Sequence, residues 1–310
     1  MKIISTATIL GLTLLAVPVV AYYFGEPLGI LERETLRTLF WILLGVITFC
    51  FIIGEITGNN SQVDKLWSII PLVYIWIITY KGDLHPRLVM MAILVTSWGI
   101  RLTANFAMKG AYNLKFWDGE EDYRWKILRE KPEFKPRWKW TCFNLFFISA
   151  YQNILILLFT LPALVVLQYR DVAVGIYDFI LVGLTLFFIV YETIADRQQW
   201  VFQQKKWSMI RAGKPLTEDV KKGFLDRGLW AKSRHPNYFA EQSIWICIYA
   251  FSIVASGLWF NWSVLGCILL ILLFQGSSRF SEEISAAKYP EYEVYQHNVP
   301  RFIPAFFKKK

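Results

Sequence analysis

The sequence is poor in charged residues, cysteine and histidine for a chain of its length. Asp, Glu, Lys and Arg make up 18% of its 310 residues, whereas soluble domains carry about 25%. The four cysteines are scattered without a Cys-x-x-Cys pair, and the three histidines lie far apart in sequence. This distribution predicts neither a disulfide framework nor a zinc site, and we expect no bound metal.

The common nucleotide-binding and metalloprotease motifs are also missing. No Gly-x-Gly-x-x-Gly follows a predicted strand, and the sequence contains neither a P-loop nor a His-Glu-x-x-His pattern. These absences argue against a Rossmann domain, a P-loop NTPase and a zinc protease. A nucleotide, if one binds, must therefore be held between helices and basic loops.

Long apolar runs are what the sequence has instead. Hydrophobic residues make up 55% of the chain and aromatic residues 17%. Runs of about 20 apolar residues recur, which is the length needed to cross the hydrocarbon core of a bilayer. The sequence predicts an all-α, polytopic integral membrane bundle of seven to eight transmembrane helices. The predicted spans are residues 3–24, 36–57, 66–80, 88–108, 141–169 with a break at Pro162, 172–195, 237–260 and 262–275, the last two as a helix pair broken near Gly257 and Asn261.

The first run, residues 3–24, allows two interpretations. A cleavable signal peptide is one, because small residues near its end resemble a cleavage site. The run is long for a signal core and further spans follow it. We therefore expect a retained anchor helix.

The basic residues are concentrated in three segments. Nine Lys or Arg residues lie in 109–139, ten in 196–235 and six in 277–310. The positive-inside rule places all three segments in the cytosol and accounts for the net charge of +9 without a polyanion. We therefore expect no nucleic-acid binding and a site that faces the cytosol.

Residues 224–245 form the most distinctive segment. Arg234 and His235 precede a proline at which a helix is predicted to begin. Asn237 and Glu241 follow with a spacing of four residues, which places them on one helix face. Polar side chains inside membrane helices are usually functional. The alternative is a basic flank before a helix that begins with a few polar residues.

Two further polar clusters could take part in chemistry. The first is the run from Asp196 to Gln199, with Glu192 one turn earlier; it opens a polar extension that is predicted to continue the helix of the sixth span to Phe202. The alternative interpretation of this run is an ordinary helix that leaves the membrane. The second is a group of charged and tyrosine residues near the C-terminus. The alternative interpretation of this group is a solvated charged helix. Its members are Arg279, Glu282, Glu283, Tyr292, Tyr295 and Arg301.

Several short motifs together carry a family resemblance that covers roughly residues 60–305. They are Asn60-x-x-x-Asp64-x-x-Trp67, Glu121-Asp-Tyr-Arg-Trp125, Asp196-Arg-Gln, Gly228-Leu-Trp230, Ser233-Arg-His-Pro-Asn-Tyr-Phe-x-Glu241, and the ending Tyr292…Phe302-Ile-Pro304. With these motifs the chain resembles the membrane-bound steroid 5-alpha-reductase-like proteins. More closely, it is similar to their bacterial branch, long catalogued as a domain of unknown function.

The resemblance implies an all-helical membrane protein that holds NADPH in a cytosol-facing cavity. It matches Asn237 and Glu241 to the pair at the nicotinamide end, and Asp196 to a cofactor-binding aspartate. It places Lys221 and Lys222, together with Arg227, in the loop that contacts the phosphates. The full set of expected cofactor-binding residues is Asp196, Arg197, Arg227, Arg234, His235, Asn237, Tyr238, Glu241 and Arg279.

The implied reaction is hydride transfer to the β-carbon of an α,β-unsaturated ketone, with a lipid-like or steroid-like substrate. A donor on the carbonyl oxygen stabilises the developing enolate. In the steroid reductases, a Glu and a Tyr polarise the carbonyl. Here Glu55 or Asp64 could supply the carboxyl group, while Arg101 lies near the place of the Tyr, and no Tyr matches. This departure puts steroid specificity in doubt more than reductase chemistry.

The resemblance also suggests an organisation of the chain and its partners. It predicts N-terminal transmembrane helices in 1–58 and a reductase-like membrane domain in 59–310. Within the second region, 109–139 and 196–235 are cytosolic loops and 277–310 is a cytosolic tail. The resemblance to the bacterial branch implies a location in a bacterial inner membrane. We expect a monomer whose partners are membrane lipid and a lipophilic small molecule.

Two other functions remain open. Membrane methyltransferases of isoprenylcysteine and phospholipids also carry Arg-His-Pro-x-Tyr at a helix start, and a Glu-Glu pair before a Tyr-x-x-Tyr tail. Glu282-Glu283 and Tyr292-Glu-Val-Tyr295 fit that pattern and would imply S-adenosylmethionine as the cofactor. A non-enzymatic lipid-binding protein is the third possibility, in which the polar residues only pack helices together.

Overall fold

The computed structural model describes Val19, residues 26–113, Lys115 and residues 117–305. Apart from Val19, the predicted anchor helix of residues 3–24 lies outside the described residues.

The described part of the chain is helical and contains no β-strand. A π-helical stretch covers Asn144–Tyr151, and short 3₁₀ turns cover Pro132–Phe134 and Gly228–Ala231. The α-helices are α1 (Ile30–Thr57), α2 (Gln62–Leu66), α3 (Ile70–Lys81), α4 (Pro86–Met108), α5 (Tyr123–Arg129), α6 (Arg137–Phe143), α7 (Gln152–Thr160), α8 (Pro162–Gln168), α9 (Ile176–Arg211), α10 (Glu218–Lys221), α11 (Pro236–Ser256), α12 (Val264–Lys288) and α13 (Tyr292–Asn298).

Seven helical stretches within the described residues are long and apolar enough to cross a membrane. They are α1, the α2–α3 stretch Gln62–Lys81, α4, the stretch Arg137–Gln168, α9, α11 and α12. Regular helices satisfy their own backbone hydrogen bonds, which a bilayer core requires. The predicted all-α, polytopic membrane fold is confirmed.

The helix breaks fall where the sequence predicted them. The stretch Arg137–Gln168 is interrupted at Pro162, where a new helix begins. The last two membrane helices are separate, because α11 ends at Ser256 and Gly257 has a φ of +72°. A positive φ is the conformation in which a helix commonly terminates and which glycine adopts at little cost. Asn261 accepts a hydrogen bond from the backbone of Ser263 just before α12 begins.

Two helices extend further than the hydropathy pattern indicated. The sequence predicted that α9 would end near residue 202 and that the last span would end at residue 275, but the helices continue to Arg211 and Lys288. At 1.5 Å per residue, the 36 residues of α9 extend about 54 Å, whereas the hydrocarbon core is about 30 Å thick. Hydropathy marks only the part of a helix that lies in lipid, so polar continuations are missed.

Contacts divide the chain into two compact units. Unit A contains the residues up to Gly183 together with Trp245–Leu270, and unit B contains Leu184–Ile244 together with Ile271–Lys310. The core of unit A is built around Trp245, whose ring centroid lies 4.9 Å from that of Trp98 and 4.1 Å from that of Phe159. Such aromatic contacts add to the stabilisation that burial provides.

Unit A also contains one close backbone contact between helices. A Cβ at Gly266 would lie 2.3 Å from the carbonyl oxygen of Leu158, so only glycine allows α12 to approach α7 in this way. Small residues at such contacts are typical of membrane helices, whose association depends on close packing.

A fully buried ion pair joins two helices of unit A. The Nε of Arg87 lies 2.6 Å from Asp178 Oδ1, and both side chains are completely buried. The guanidinium also donates to the carbonyl oxygens of Val172 and Ala173. Because these acceptors satisfy the charge, Arg87 joins the start of α4 to the start of α9. The sequence analysis did not identify this pair.

Candidate cofactor site

All nine predicted cofactor-binding residues lie in unit B, whereas the candidates for polarising a carbonyl, Glu55, Asp64 and Arg101, lie in unit A. The structure therefore groups the first set within one compact unit.

Asn237 and Asp196 form the central contact of the site in unit B. The Nδ2 of Asn237, in the first turn of α11, donates to Asp196 Oδ1 of α9 at 3.2 Å. An ionised carboxylate only accepts hydrogen bonds, so the amide nitrogen must face Asp196. The amide oxygen Oδ1 of Asn237 consequently points elsewhere and is buried without a hydrogen-bond partner among the described residues. An unsatisfied buried acceptor is costly, and a bound donor would relieve that cost.

Two further carboxylates accompany this contact. Glu241 lies one turn after Asn237 on α11, and Glu192 lies one turn before Asp196 on α9. The exposed fraction is only 4% for each of them, and 8% for Asp196. Unit B therefore holds several acidic side chains away from solvent on these helices, an arrangement that proteins rarely keep without function.

Arg234 and Glu282 form a second buried cluster in unit B. The Nε of Arg234 lies 2.7 Å from Glu282 Oε1, and its Nη2 lies 3.2 Å from Oε2. The Nε2 of His235 lies 3.0 Å from Glu282 Oε1. Gln296 donates to the same carboxylate, and Arg301 lies 3.5 Å from it. Most donors of Arg234 are therefore already used within the protein, which favours a positioning role for this residue over direct phosphate binding.

The C-terminal segment is bonded to the residues just before α11. The backbone nitrogen of Arg234 donates to Pro300 O at 2.9 Å, and that of His235 donates to Arg301 O at 3.0 Å. Arg234 Nη1 also donates to the carbonyl oxygens of Gln296 and Val299. The segment after α13 thus fixes the start of α11. The Arg234–Val299 hydrogen bond joins residues that are 65 positions apart in sequence.

Aromatic residues support the same region. The ring of Tyr238 stacks on His235 at a centroid distance of 5.2 Å and contacts Phe274 at 4.7 Å. The hydroxyl of Tyr295 donates to the carbonyl oxygen of Trp230. Burial raises the pKa of Tyr295 above its usual value, so this phenol remains a protonated donor.

Gly228 explains one of the sequence motifs. Its φ is +62°, and a Cβ there would lie 2.6 Å from Gln198 Oε1. That same oxygen accepts a hydrogen bond from the backbone of Leu229 at 2.9 Å. Trp230 Nε1 donates to Ala195 O at 3.0 Å. The Gly-Leu-Trp motif therefore fixes the loop before α11 against the Asp196-Arg-Gln part of α9.

The remaining cationic candidates are exposed to solvent. Arg197, Arg227 and Arg279 are exposed, and the Nε of Arg227 lies 4.0 Å from Asp226. Lys222 donates to Asp226 at 2.8 Å, and this hydrogen bond raises the pKa of Lys222. The exposed arginines can reach an anionic ligand, whereas Lys222 is already partnered.

In unit A, two motifs that are far apart in sequence lie against each other. Trp125 Nε1 donates to Asp64 Oδ2 at 2.8 Å, and the backbone of Asn60 donates to Glu121 Oε1 at 2.8 Å. The backbone of Asp122 donates to Ser61 Oγ at 2.9 Å. The sequence identified both motifs but not their contact.

One ionisable group of this contact lies outside the membrane-spanning helices. Burial alone would raise the pKa of Asp122, but the charge and hydrogen bonds of Arg124 outweigh it and hold the pKa below its ordinary value. Asp122 therefore stays ionised and caps the start of α5, where its side chain accepts from the backbone of Arg124.

The three candidates for polarising a carbonyl have different surroundings. Glu55 accepts hydrogen bonds from Thr141 Oγ1 at 3.0 Å and from Asn144 Nδ2 at 2.8 Å. Asp64 is bonded to the Trp125 indole, as described above. Arg101 is partly buried in the second half of α4. Glu55 and Asp64 thus have separate partners and do not form a paired carboxylate site.

Within the described residues, the chain holds no group of three or more His, Cys, Asp and Glu side chains that could bind a metal ion.

Comparison with known proteins identifies a family. The family described as "Protein of unknown function (DUF1295)" matches residues 50–299, and the chain belongs to it. An uncharacterized protein of Schizosaccharomyces pombe is 36% identical over 272 residues, which cover 82% of this chain and 77% of the relative. No solved structure matches the chain.

Proposed function

We propose that this member of the DUF1295 family is a membrane-embedded, NADPH-dependent reductase that reduces the C=C bond of an α,β-unsaturated ketone. The substrate would be a lipid-like or steroid-like molecule. The resemblance to the steroid 5-alpha-reductase-like proteins supports the proposal, and so does the chemistry of unit B. The observation that carries it is the Asn237–Asp196 contact, which leaves a buried amide oxygen unpaired beside α9.

The residues of unit B fit the groups that NADPH presents. The unpaired Oδ1 of Asn237 can accept a hydrogen bond from the nicotinamide carboxamide. Asp196 holds the Asn237 amide in this orientation, and Glu241 lies one turn further along the same helix. The exposed Arg197, Arg227 and Arg279 supply positive charge for the phosphates. Arg234 positions α11 by binding Glu282.

The bound cofactor would supply the hydride for the β-carbon, and a proton would then be added at the α-carbon. The protein has to stabilise the enolate oxygen that develops in between. Glu55, Asp64 and Arg101 remain the proposed candidates for this task. A carboxyl group can donate a hydrogen bond to such an oxygen only while it is protonated.

The methyltransferase interpretation has one specific observation in its favour. Arg234, His235 and Glu282, which carry that resemblance, form a single hydrogen-bonded cluster. In that cluster, however, the carboxylate is neutralised by the arginine, so neither group is left free for another ligand. Lipid binding without catalysis is the third candidate, and it leaves the unpaired Asn237 oxygen unexplained.

The test is an activity assay with the purified full-length protein in detergent. NADPH oxidation is followed by its absorbance against a panel of steroidal and non-steroidal enones, and the product is identified by mass spectrometry. A saturated ketone formed with consumption of one NADPH per molecule supports the proposal. Methyl transfer from S-adenosylmethionine without NADPH oxidation favours the methyltransferase, and neither activity favours a lipid-binding protein.

The proposed orientation, with the site of unit B facing the cytosol, rests on the distribution of Lys and Arg, and the proposed bacterial inner membrane rests on the family resemblance. Cysteine labelling of intact cells tests the orientation. In a variant whose exposed Cys142 is replaced by serine, a cysteine introduced at the exposed Arg227 should resist a membrane-impermeant maleimide until the cells are opened.

A further inference from the structure

Unit A contains a cavity of about 460 Å³ that none of the proposed cofactor-binding residues lines. It lies where α1 ends, where α5 ends and where α6 begins. Three cations, Arg129, Lys135 and Arg137, contribute to its lining, against one carboxylate, that of Glu55. Because Thr141 and Asn144 donate to both oxygens of Glu55, this negative charge is partly compensated.

Asn60 presents an unused donor in this cavity. Its Oδ1 accepts a hydrogen bond from Arg129 Nη2 at 2.8 Å, and an arginine can only donate, so the orientation of the amide is fixed. The Nδ2 of Asn60 is then buried without an acceptor among the described residues. The side chain as a whole is 97% buried, with 3% exposed. Gly54 makes room for this amide, because a Cβ there would lie 3.1 Å from Nδ2.

Arg129 presents a second unused donor. Its Nη2 contacts Gly58 O, Asn60 Oδ1 and Glu121 Oε1, which fixes the guanidinium in place. The guanidinium carbon also lies 5.0 Å from the ring centroid of Trp140. Its Nε, however, is buried without a partner among the described residues. Two buried N–H groups that lack acceptors therefore belong to side chains lining the same cavity.

Lys135 and Arg137 add mobile positive charge at the edge of this cavity. Both side chains are exposed. Fixed donors inside a cavity with flexible cations around it match a ligand that has several anionic oxygens.

We propose that this cavity of unit A binds a phosphate group, through Asn60, Arg129, Lys135 and Arg137. The group could belong to the headgroup of an anionic phospholipid or to a free phosphate compound. Either source offers the acceptors that the two buried donors lack.

The test uses the purified full-length protein in detergent with two probes. One probe is inorganic phosphate, titrated by calorimetry, and the other is fluorescent phosphatidylglycerol, with phosphatidylcholine as the uncharged comparison. The double variant Lys135→Gln/Arg137→Gln should bind at least about tenfold more weakly, because two charge-assisted contacts are lost. Asn60→Asp should also weaken binding, since it replaces the unused donor with an acceptor while keeping the contact to Arg129.

The matched control is Lys126→Gln/Lys139→Gln. These two exposed lysines flank the same segment and are not among the residues that line the cavity, so the variant loses the same charge. Wild-type affinity in this control supports a built site. Binding of phosphatidylglycerol alone identifies a lipid headgroup, and binding of inorganic phosphate as well identifies a general phosphate site. The proposal is overturned if the wild type binds neither probe, or if both double variants lose affinity equally.

Discussion

The guanidinium of Arg234 and the carboxylate of Glu282 lie 2.7 Å apart, and both side chains are almost completely buried. Arg234 immediately precedes the His-Pro start of α11, and Glu282 lies in the polar continuation of α12. This ion pair, together with the carbonyl oxygens of Gln296 and Val299, attaches the C-terminal segment to the entry of the helix that carries Asn237. The position of Asn237 therefore depends on residues that are distant in sequence.

Loss of the Glu282 carboxylate should destabilise unit B. Glu282→Ala leaves the buried Arg234 charge uncompensated, which costs about 3–5 kcal/mol where such pairs are broken. We expect a lower thermal unfolding temperature in detergent and faster proteolysis of the C-terminal segment. Glu283→Ala is the matched control, because Glu283 is the exposed neighbour. Equal behaviour of the two variants would contradict the assigned role of the ion pair.

The buried Arg87–Asp178 pair of unit A should tolerate a double substitution better than a single one. Arg87→Leu leaves Asp178 buried and unpaired, and we expect a loss of about 3–5 kcal/mol. Arg87→Leu/Asp178→Leu removes both charges and should recover much of that stability. Thermal unfolding measures the difference. As a control, Arg170→Leu breaks the exposed pair with Asp83 and should cost less than about 1 kcal/mol. A double variant less stable than the single one would refute this prediction.

The close contact at Gly228 can be separated from the cost of its backbone conformation. Gly228→Ala introduces both a clash with Gln198 and a side chain at a φ of +62°. Gly213→Ala is the matched variant, because Gly213 has the same φ of +62° and no atom within 4 Å of the added Cβ. The conformational cost alone is about 1–2 kcal/mol. We expect Gly228→Ala to be less stable than Gly213→Ala and to bind NADPH more weakly. Indistinguishable variants would show that the contact with Gln198 is unimportant.

Substitutions of Asp64 test the contact between the two motifs of unit A. Asp64→Asn keeps an oxygen that can accept from the Trp125 indole, whereas Asp64→Leu leaves that indole without its partner. Leaving a buried donor unsatisfied costs about 1–3 kcal/mol. Thermal unfolding should therefore rank wild type and Asp64→Asn above Asp64→Leu. If Asp64→Asn retains stability but loses enone reduction, the carboxyl group has a chemical role. If both variants unfold alike, the indole contact contributes little.

The sequence alone predicts the membrane part of this fold well. Apolar runs locate the helices because lipid-facing surface requires hydrophobic side chains. The sequence predicts the ends of the helices poorly, since a helix outside the bilayer needs no hydrophobic pattern. Two helices therefore continue to Arg211 and Lys288, beyond their predicted ends. Proline and glycine at positions 162 and 257 were reliable markers because they act locally on the backbone.

The site is predicted as a set of residues but not as a set of contacts. The motifs indicated that Asp196, Asn237 and Glu241 matter, and the structure groups them in unit B. The pairs Arg234–Glu282 and Arg87–Asp178 could not be inferred, because each joins residues that are distant in sequence and lie on different structural elements. Spacing along one helix predicts a shared face, whereas contacts between helices depend on how the whole unit packs.

The most direct test of the central claim is an equilibrium titration of the purified protein with NADPH. The wild type should bind saturably, and Asn237→Ala and Glu241→Gln should each weaken binding at least about tenfold, the equivalent of one lost hydrogen bond of about 1.4 kcal/mol or more. Ser243→Ala, on the same helix, removes a hydroxyl that donates to the Phe239 carbonyl and should bind like the wild type. Wild-type affinity in both site variants, or no binding by the wild type, would contradict the account.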